Sequence, residues 1–318
     1  MTDGPSVSVI VPAYGVAPLI GEALASLQAQ TRPDWEAIVV DDGDQDVAPV
    51  LGTLATDERI RLLRTDNGGL AVARNRAAGV AKAPLLALLD GDDAYFPNYV
   101  EDMLAVFDDR PSLGFATCDA TYFGLPDRAG RLFSEFHAQQ GPVTLARVLA
   151  RQFNVFVGSV IRKDAFDAIG GFDASLRSCE DLDLWIRLLG SGYEAAYVPR
   201  PLSRYRRRHG SLSTNTVGMV GWEARVYRKA AAALDGRAEQ TIALESAERL
   251  KAHGARARAE HLILNGDAKR GVALLRRYRL ESLRWRTLVL AMQVWPQLGR
   301  PIFRLRNALN GRARQTGP

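Results

Sequence analysis

Two rhythms of apolar and polar positions alternate through the first third of the chain. Short apolar runs at 7–11, 35–40 (WEAIVV), 60–63 and 85–89 are bounded by Gly, Pro, Asp or Asn, the pattern of strands buried on both faces. Between them, 19–30, 47–55 and 70–81 place their apolar residues at helical spacing. Strands and helices alternating at such short intervals predict right-handed βαβ units and a mainly parallel sheet, an α/β fold of Rossmann-like type. An open sheet of this kind binds ligands at the carboxyl ends of its strands. The turns at 12–15, 41–44, 67–69 and 90–93 are therefore expected to share one crevice.

Beyond residue 93 the rhythm loosens. The spacing predicts a helix over 97–107, strands over 114–119 and 155–161, and a short helix over 163–169. Residues 121–140 are polar and irregular and read as a surface loop. An amphipathic helix is expected over 180–190 (EDLDLWIRLLG), with acids in its first turn, then a strand over 194–198. Residues 204–213 (RYRRRHGSLS) read as a loop carrying four arginines and a histidine. From about 217 onward the pattern is helical, with breaks expected near Gly236, Gly254, Gly266 and Pro296 and an antiparallel pairing of 259–277 with 280–293.

A length of 318 residues with 47% hydrophobic content suits one large domain or two smaller ones. Charge divides the chain further: residues 221–318 hold 20 Lys and Arg against 8 Asp and Glu, which leaves 1–220 net acidic within a total of +5. The acidic body argues against a nucleic-acid partner. In the basic tail, Trp285, Trp295 and Phe303 interleave with arginines, which suits helices lying on an anionic membrane surface; a structural or homo-oligomerising bundle is the alternative. Cys118 and Cys179 form no disulfide framework and no metal-ligand spacing, as expected in a reducing cytosol. The first fifteen residues lack a basic n-region, and no run reaches the roughly 18 apolar residues that a membrane span needs. A cytoplasmic protein is expected, soluble or peripheral at the inner face of the cell membrane.

Residues 85–93, LLALLDGDD, carry the chemistry most directly. Clustered carboxylates at a strand tip repel one another unless a cation joins them, and a hard divalent ion held by one or two carboxylates plus substrate phosphates is the common solution. An Asp-rich solvated turn is the alternative.

Eight segments, taken in order, resemble the GT-A glycosyltransferases of family 2: SVIVPAYG, EAIVVDDGDQD, NGGLAVARNRA, LLALLDGDD, GSVIRKDAF, GGFD, EDLDLWIRLL and YRRRHGSLS. The likeness covers about 6–214 and implies a GT-A domain over 1–214, with a nucleotide-binding half to about 95, an acceptor half from 96, and a helical region over 215–318. It implies a metal-dependent, inverting transfer from a nucleoside-diphosphate sugar, by default a UDP-sugar, to a hydroxyl of a carbohydrate or lipid-linked acceptor in bacterial surface polysaccharide or glycolipid synthesis. Family positions then assign Pro12, Ala13 and Tyr14 to the nucleotide base, Asp42 to the uracil imide, and Asp41 to ribose or to its own turn. Gly43-Asp44 departs from the Gly-Ser usual after the paired acids. Asn67 and Arg74 fall to uridine and diphosphate, with a solvated helix arginine as the alternative for Arg74. Asp92 is implied as the ligand of Mn²⁺ or Mg²⁺, joined by His209, and Asp90 as a ribose or water-mediated metal contact. Gly91 would admit a phosphate closely and Arg206 would meet it, leaving Arg207 and Arg208 to solvent or membrane.

The helix at 180 is implied to present the base. An inverting transfer needs one carboxylate to take the acceptor proton, and that role goes to Asp181, with Glu180 orienting it. Ser178, three residues before Asp181, offers a capping explanation of the same acids. Gly171 and Phe172 would floor the acceptor site, and Trp185, four positions along the helix face, either stacks on a sugar or fills the core. Two other classes stay open on sequence alone. A nucleotide-sugar-binding assembly subunit would have lost a key acid, and a nucleotidyltransferase would carry a basic glycine-rich loop after the first strand; neither sign is present.

Overall fold

The computed structural model describes residues 4–43, 46–52, 56–211 and 216–276, with 290–292, 295, 298 and 301–304. The chain divides into two compact units, Met1–Thr214 with Val226–Leu244, and Asn215–Arg225 with Glu245–Pro318.

In the first unit β1 (Val7–Pro12), α1 (Ile20–Gln28), β2 (Trp35–Asp41), α2 (Ala48–Leu51), β3 (Ile60–Arg64), α3 (Leu70–Val80) and β4 (Leu85–Leu88) follow in order. Every residue of β1, β2 and β4 is buried, which is why these strands read as near-continuous apolar runs. Two of the buried polar residues satisfy each other: Ser8 Oγ donates to Glu36 Oε1 at 2.6 Å, and Glu36 also accepts the Lys82 N–H at 2.7 Å. The strands pair in parallel in the order β3-β2-β1-β4.

The sheet continues through β5 (Ala94–Tyr95), β6 (Leu113–Gly124), β7 (Val160–Arg162) and β8 (Glu194–Arg207) to give the order β3-β2-β1-β4-β7-β6-β8-β5. Here the pairing is mixed, with β7 antiparallel to both β4 and β6, β8 parallel to β6, and β5 antiparallel to β8. Helices α4 (Tyr99–Ala105), α5 (Leu145–Leu149), α6 (Lys163–Ala168) and α7 (Glu180–Gly190) complete the body.

Two expectations are corrected in this unit. Residues 121–140 do not form a polar loop throughout: β6 runs on to Gly124, and a 3-10 turn at Phe133–Glu135 packs Phe133 and Tyr122 into the core. Residues 204–207 belong to β8, because pairing with β6 places Phe123 beside Arg206, and the Arg204 and Arg206 guanidiniums lie 4.4 and 4.1 Å from its ring. Of the helix expected over 47–55, Ala48–Leu51 is described as α2, and 53–55 lie outside the described residues.

Helices α8 (Thr216–Ala233) and α9 (Ala238–Leu264) each contribute to both units. In the second unit α9 passes unbroken through Gly254, where a side chain would meet Val220 Cγ1 at 3.1 Å; the glycine serves close helix packing, not a break. The break does come at Gly266 (φ 100°), so the described residues 259–276 belong to two helices, α9 and α10 (Ala268–Arg276). Ala259, Ile263, Val272, Leu275, Met292 and Phe303 form this unit's core. Phe303 is therefore buried, not interfacial, whereas Trp295 is 55% exposed; Trp285 and most of 280–293 lie outside the described residues. No helix of the described residues is long and apolar enough to cross a membrane.

Candidate active site

The carboxyl ends of the first four strands meet as expected. Ala13 N–H donates to Val40 O at 2.9 Å, Thr65 N–H to Asp41 O at 3.0 Å, and Leu89 N–H to Ile10 O at 3.1 Å. A Cβ on Gly91 would stand 2.7 Å from the Pro12 carbonyl oxygen and 2.8 Å from Val16, so the close approach that this glycine permits is of the acid turn onto Pro12. Pro12 and Ala13 are buried under the turn, and Tyr14 stands 57% exposed.

The two acids ending β2 differ. Asp41 uses its carboxylate on its own loop, accepting from Val47 N–H at 3.3 Å and facing Arg64 Nε at 3.5 Å, the turn-holding alternative to a ribose contact. Asp42 is 2% exposed, and its Oδ1 has no partner although it is screened from water. Burial pushes its pKa up, against a hydrogen bond from the Gly68 backbone. An orphaned buried carboxylate oxygen at a ligand crevice is an acceptor waiting for a donor. Thr65 Oγ1, at the tip of the neighbouring strand, is likewise buried and unpartnered, and no sequence signal singled it out. Asn67 is exposed and accepts Gly69 N–H at 3.0 Å, shaping the turn into α3. Asp44 is outside the described residues.

At the end of β4, Asp93 is buried and accepts the Arg206 backbone N–H at 2.7 Å. Burial, then the charges of Asp90 and Asp92, push its pKa well up, and Asp92 is raised by burial and by Asp90. The Arg206 guanidinium is held by the Asp92 carbonyl at 2.7 Å, by Glu22 of α1 and by the Phe123 ring, so it is not the free phosphate ligand expected. Arg208, expected in solvent, instead donates Nε–H to Asp92 Oδ2 at 2.7 Å. His209 is exposed, and among the described residues no three His, Cys, Asp or Glu side chains gather as a metal cage. Asp92 and Asp90, with side chains 17% and 26% exposed, nonetheless supply the hard carboxylate oxygens that Mg²⁺ or Mn²⁺ takes alongside phosphate and water. Their mutual repulsion makes a cation chemically apt there.

Arg74 is corrected most. It is 1% exposed, on α3, donating through one terminal nitrogen to Asp90 Oδ1 at 2.5 Å and through the other to Glu180 Oε1 at 2.6 Å. It joins the acid turn of the donor side to the first residue of α7. Glu180 is 4% exposed, and burial pushes its pKa up to about 7 against the pull of Arg74. Asp181 is half-buried, and its Oδ1 accepts the N–H of Leu182 at 2.8 Å. Its pKa is also raised by burial and lowered by Arg74. The N-cap of the helix carrying both acids is Cys179, whose φ of 59° is left-handed, and not Ser178. Lys229 of α8 fixes the other side, reaching Asp173 at 2.6 Å and the buried Asp183 at 2.7 Å.

The turn at 170–173 is clamped from behind. Gly171 (φ 69°) would, with a Cβ, stand 2.7 Å from Asn75 Oδ1, and Asn75 exchanges hydrogen bonds with the Phe172 backbone at 2.9 and 2.8 Å. The Phe172 ring is buried with the Arg74 guanidinium 5.4 Å from its centroid, so it supports Arg74 instead of facing an acceptor. Trp185 is likewise core: it is 1% exposed, 4.7 Å from the Phe115 ring, and cannot stack on a sugar.

Comparison with known proteins places this arrangement. A family model described as Glycosyl transferase family 2 matches residues 8–170. The putative teichuronic acid biosynthesis glycosyltransferase TuaG of Bacillus subtilis is 30% identical over 217 residues, covering 66% of this chain and 82% of its own. Succinoglycan biosynthesis protein ExoO of Rhizobium meliloti is 32% identical over 219 residues, covering 66% and 63%. Among solved structures, S. aureus TarS 1-349 in complex with UDP-GlcNAc superposes with a TM-score of 0.61 at 17% identity, over 94% of this chain and 92% of that one. The mannosyltransferase PcManGT of Pyrobaculum calidifontis, in complex with GDP-Man and Mn²⁺, gives 0.62 at 20% identity over 98% and 85%. These last two share the GT-A fold. With the family match spanning the strand ends that carry Asp42, Asp90 and Asp92, the chain belongs to the family 2 glycosyltransferases.

Proposed function

We propose that this glycosyltransferase is a metal-dependent, inverting enzyme that moves a sugar from a UDP-sugar to a hydroxyl of a carbohydrate or lipid-linked acceptor in surface polysaccharide or glycolipid synthesis, acting at the cytoplasmic face of the membrane. One observation carries it: a single buried guanidinium, Arg74, spans from Asp90 on the donor side to Glu180 beside the proposed base. Leaving-group acids and base acids are thereby within one side chain's reach of each other.

The nucleotide is read by residues at the tips of β1 and β2. The Asp42 Oδ1 accepts the imide N–H of uracil, replacing a missing hydrogen bond, and the exposed Tyr14 ring lies against the base. Asp92, with Asp90 beside it, would hold the divalent ion, which supplies Lewis-acid stabilisation of charge on the departing diphosphate. Asp181 takes the proton from the acceptor hydroxyl as that oxygen bonds to the anomeric carbon and the opposite bond to the diphosphate oxygen breaks. Glu180, pinned by Arg74, orients the helix start. TuaG and ExoO bear names from polysaccharide synthesis, and TarS binds UDP-GlcNAc, which supports the substrate class.

A thermal-shift series on the intact chain tests the donor assignment. UDP with Mn²⁺ is expected to raise the melting temperature more than GDP or CDP with Mn²⁺, because ligand bound only to the native state stabilises it. Asp42→Ala should remove that preference; equal shifts for all three nucleotides would reject the uracil assignment. The basic region over 215–318 is assigned in the same reading to an anionic lipid surface beside a lipid-linked acceptor. Co-sedimentation with phosphatidylglycerol vesicles at low salt, lost at high salt, is the expected result, and no binding at low salt rejects the membrane role.

A further inference from the structure

The two proposed metal-side carboxylates each carry an arginine, and the two arginines differ in kind. Arg74 on Asp90 is 1% exposed, is also fixed to Glu180, and sits within the core against Phe172. Arg208 on Asp92 is 34% exposed, and its Nε–H to Asp92 Oδ2, at 2.7 Å, is the described bond its side chain makes. Its backbone lies one residue past the end of β8, whose last paired residue is Arg207. Arg207 is anchored twice, by its carbonyl accepting the Leu125 N–H at 2.9 Å and by its guanidinium reaching Asp127 at 2.6 Å. Two residues on, Gly210 adopts a left-handed φ of 79°. Arg208 is thus the first residue beyond the sheet, held back to the site by its side chain.

We propose that Arg208 is a resident counter-ion of Asp92 that competes with the divalent cation, so that the ion enters only as Arg208 leaves. This rests on the metal-dependent reading above. An Asp92 oxygen engaged by a charged N–H donor cannot also present that lone pair to a metal, and two cations do not share one carboxylate without repulsion. Arg206 does not take over the contact, because its guanidinium is committed to Glu22 and to the Asp92 carbonyl. The arginine therefore stabilises the crowded acids before nucleotide binds and lowers the cation affinity of the site. A bound diphosphate offers Arg208 another anion in the same crevice, which couples cation binding to nucleotide binding. Arg208 is on this account a positioning residue for Asp92, outside the reacting atoms.

The test is Mn²⁺ binding, read by the electron-paramagnetic signal of free Mn²⁺ on the full-length protein without nucleotide. Arg208→Gln is expected to bind Mn²⁺ roughly five- to tenfold more tightly than the parent, the size appropriate to removing a half-exposed ion pair and its charge repulsion. Arg208→Lys, which keeps the charge, should stay near the parent. Asp92→Asn in the Arg208→Gln background should abolish the gain. UDP should raise Mn²⁺ affinity more in the parent than in Arg208→Gln, since the variant has no arginine left to displace. If Arg208→Gln binds Mn²⁺ no more tightly than the parent, or if the gain survives Asp92→Asn, the competition is overturned. If UDP stabilises the protein and no variant binds Mn²⁺ even with UDP present, the metal-dependent reading fails instead.

Discussion

Asp181→Asn is expected to lower the transfer rate of the purified enzyme by about a hundred- to ten-thousand-fold, the range associated with losing a positioned general base. Asparagine matches the carboxylate in shape, and its amide oxygen can still accept the Leu182 N–H that Asp181 Oδ1 accepts at 2.8 Å. Fold stability should therefore change little. The donor turns lie on other elements, so the thermal shift produced by UDP should persist in the variant. Falling rate with retained nucleotide binding separates loss of the base from loss of the site. Glu180→Gln is the companion: Glu180 is buried on Arg74 and turned from solvent, so its replacement should reduce rate less. Unchanged transfer in Asp181→Asn would remove the proposed base, and a collapse confined to Glu180→Gln would move the role one residue back.

What could be read in advance depended on how local the physical cause was. Strands β1, β2 and β4 are buried on both faces, so their character is written in consecutive apolar residues. The acids at their tips follow because a parallel arrangement aligns carboxyl ends along one edge. The arginines of 204–208 were not legible, because their fate is decided by partners far away in sequence: β8 pairs with β6, Arg206 meets Glu22, and Arg208 meets Asp92. Family position gives Arg74 to the diphosphate, or to solvent as the alternative, whereas its burial follows from Asp90 and from Glu180, the latter at a sequence separation of 106. Trp185 had the right spacing for a sugar platform but points to Phe115. Asp41 and Asp42 are adjacent in sequence and opposite in role, a distinction made by which oxygen lacks a partner.

Arg74→Met is expected to destabilise the fold by about 3–5 kcal/mol at pH 8, the cost of leaving a buried charge without its partner. Methionine fills much of the volume of the arginine stem against the Phe172 ring, so lost packing contributes little. The pH dependence identifies the cause. Burial holds the Glu180 pKa at about 7, above the ordinary glutamate value, even with Arg74 2.6 Å away. A carboxyl whose native pKa is raised contributes stability that is full below its unfolded pKa and is lost as pH rises through the native one. Removing the guanidinium pushes the Glu180 pKa higher still, which extends that loss over a wider range. The deficit of Arg74→Met relative to the parent should therefore be larger at pH 8 than at pH 5.5 in urea unfolding. Adding Glu180→Gln to Arg74→Met should recover much of the loss at pH 8, since a neutral amide no longer needs the cation. A deficit that is the same at both pH values, or that Glu180→Gln does not relieve, would mean that Arg74 acts through packing and not as the charge joining the donor acids to the base.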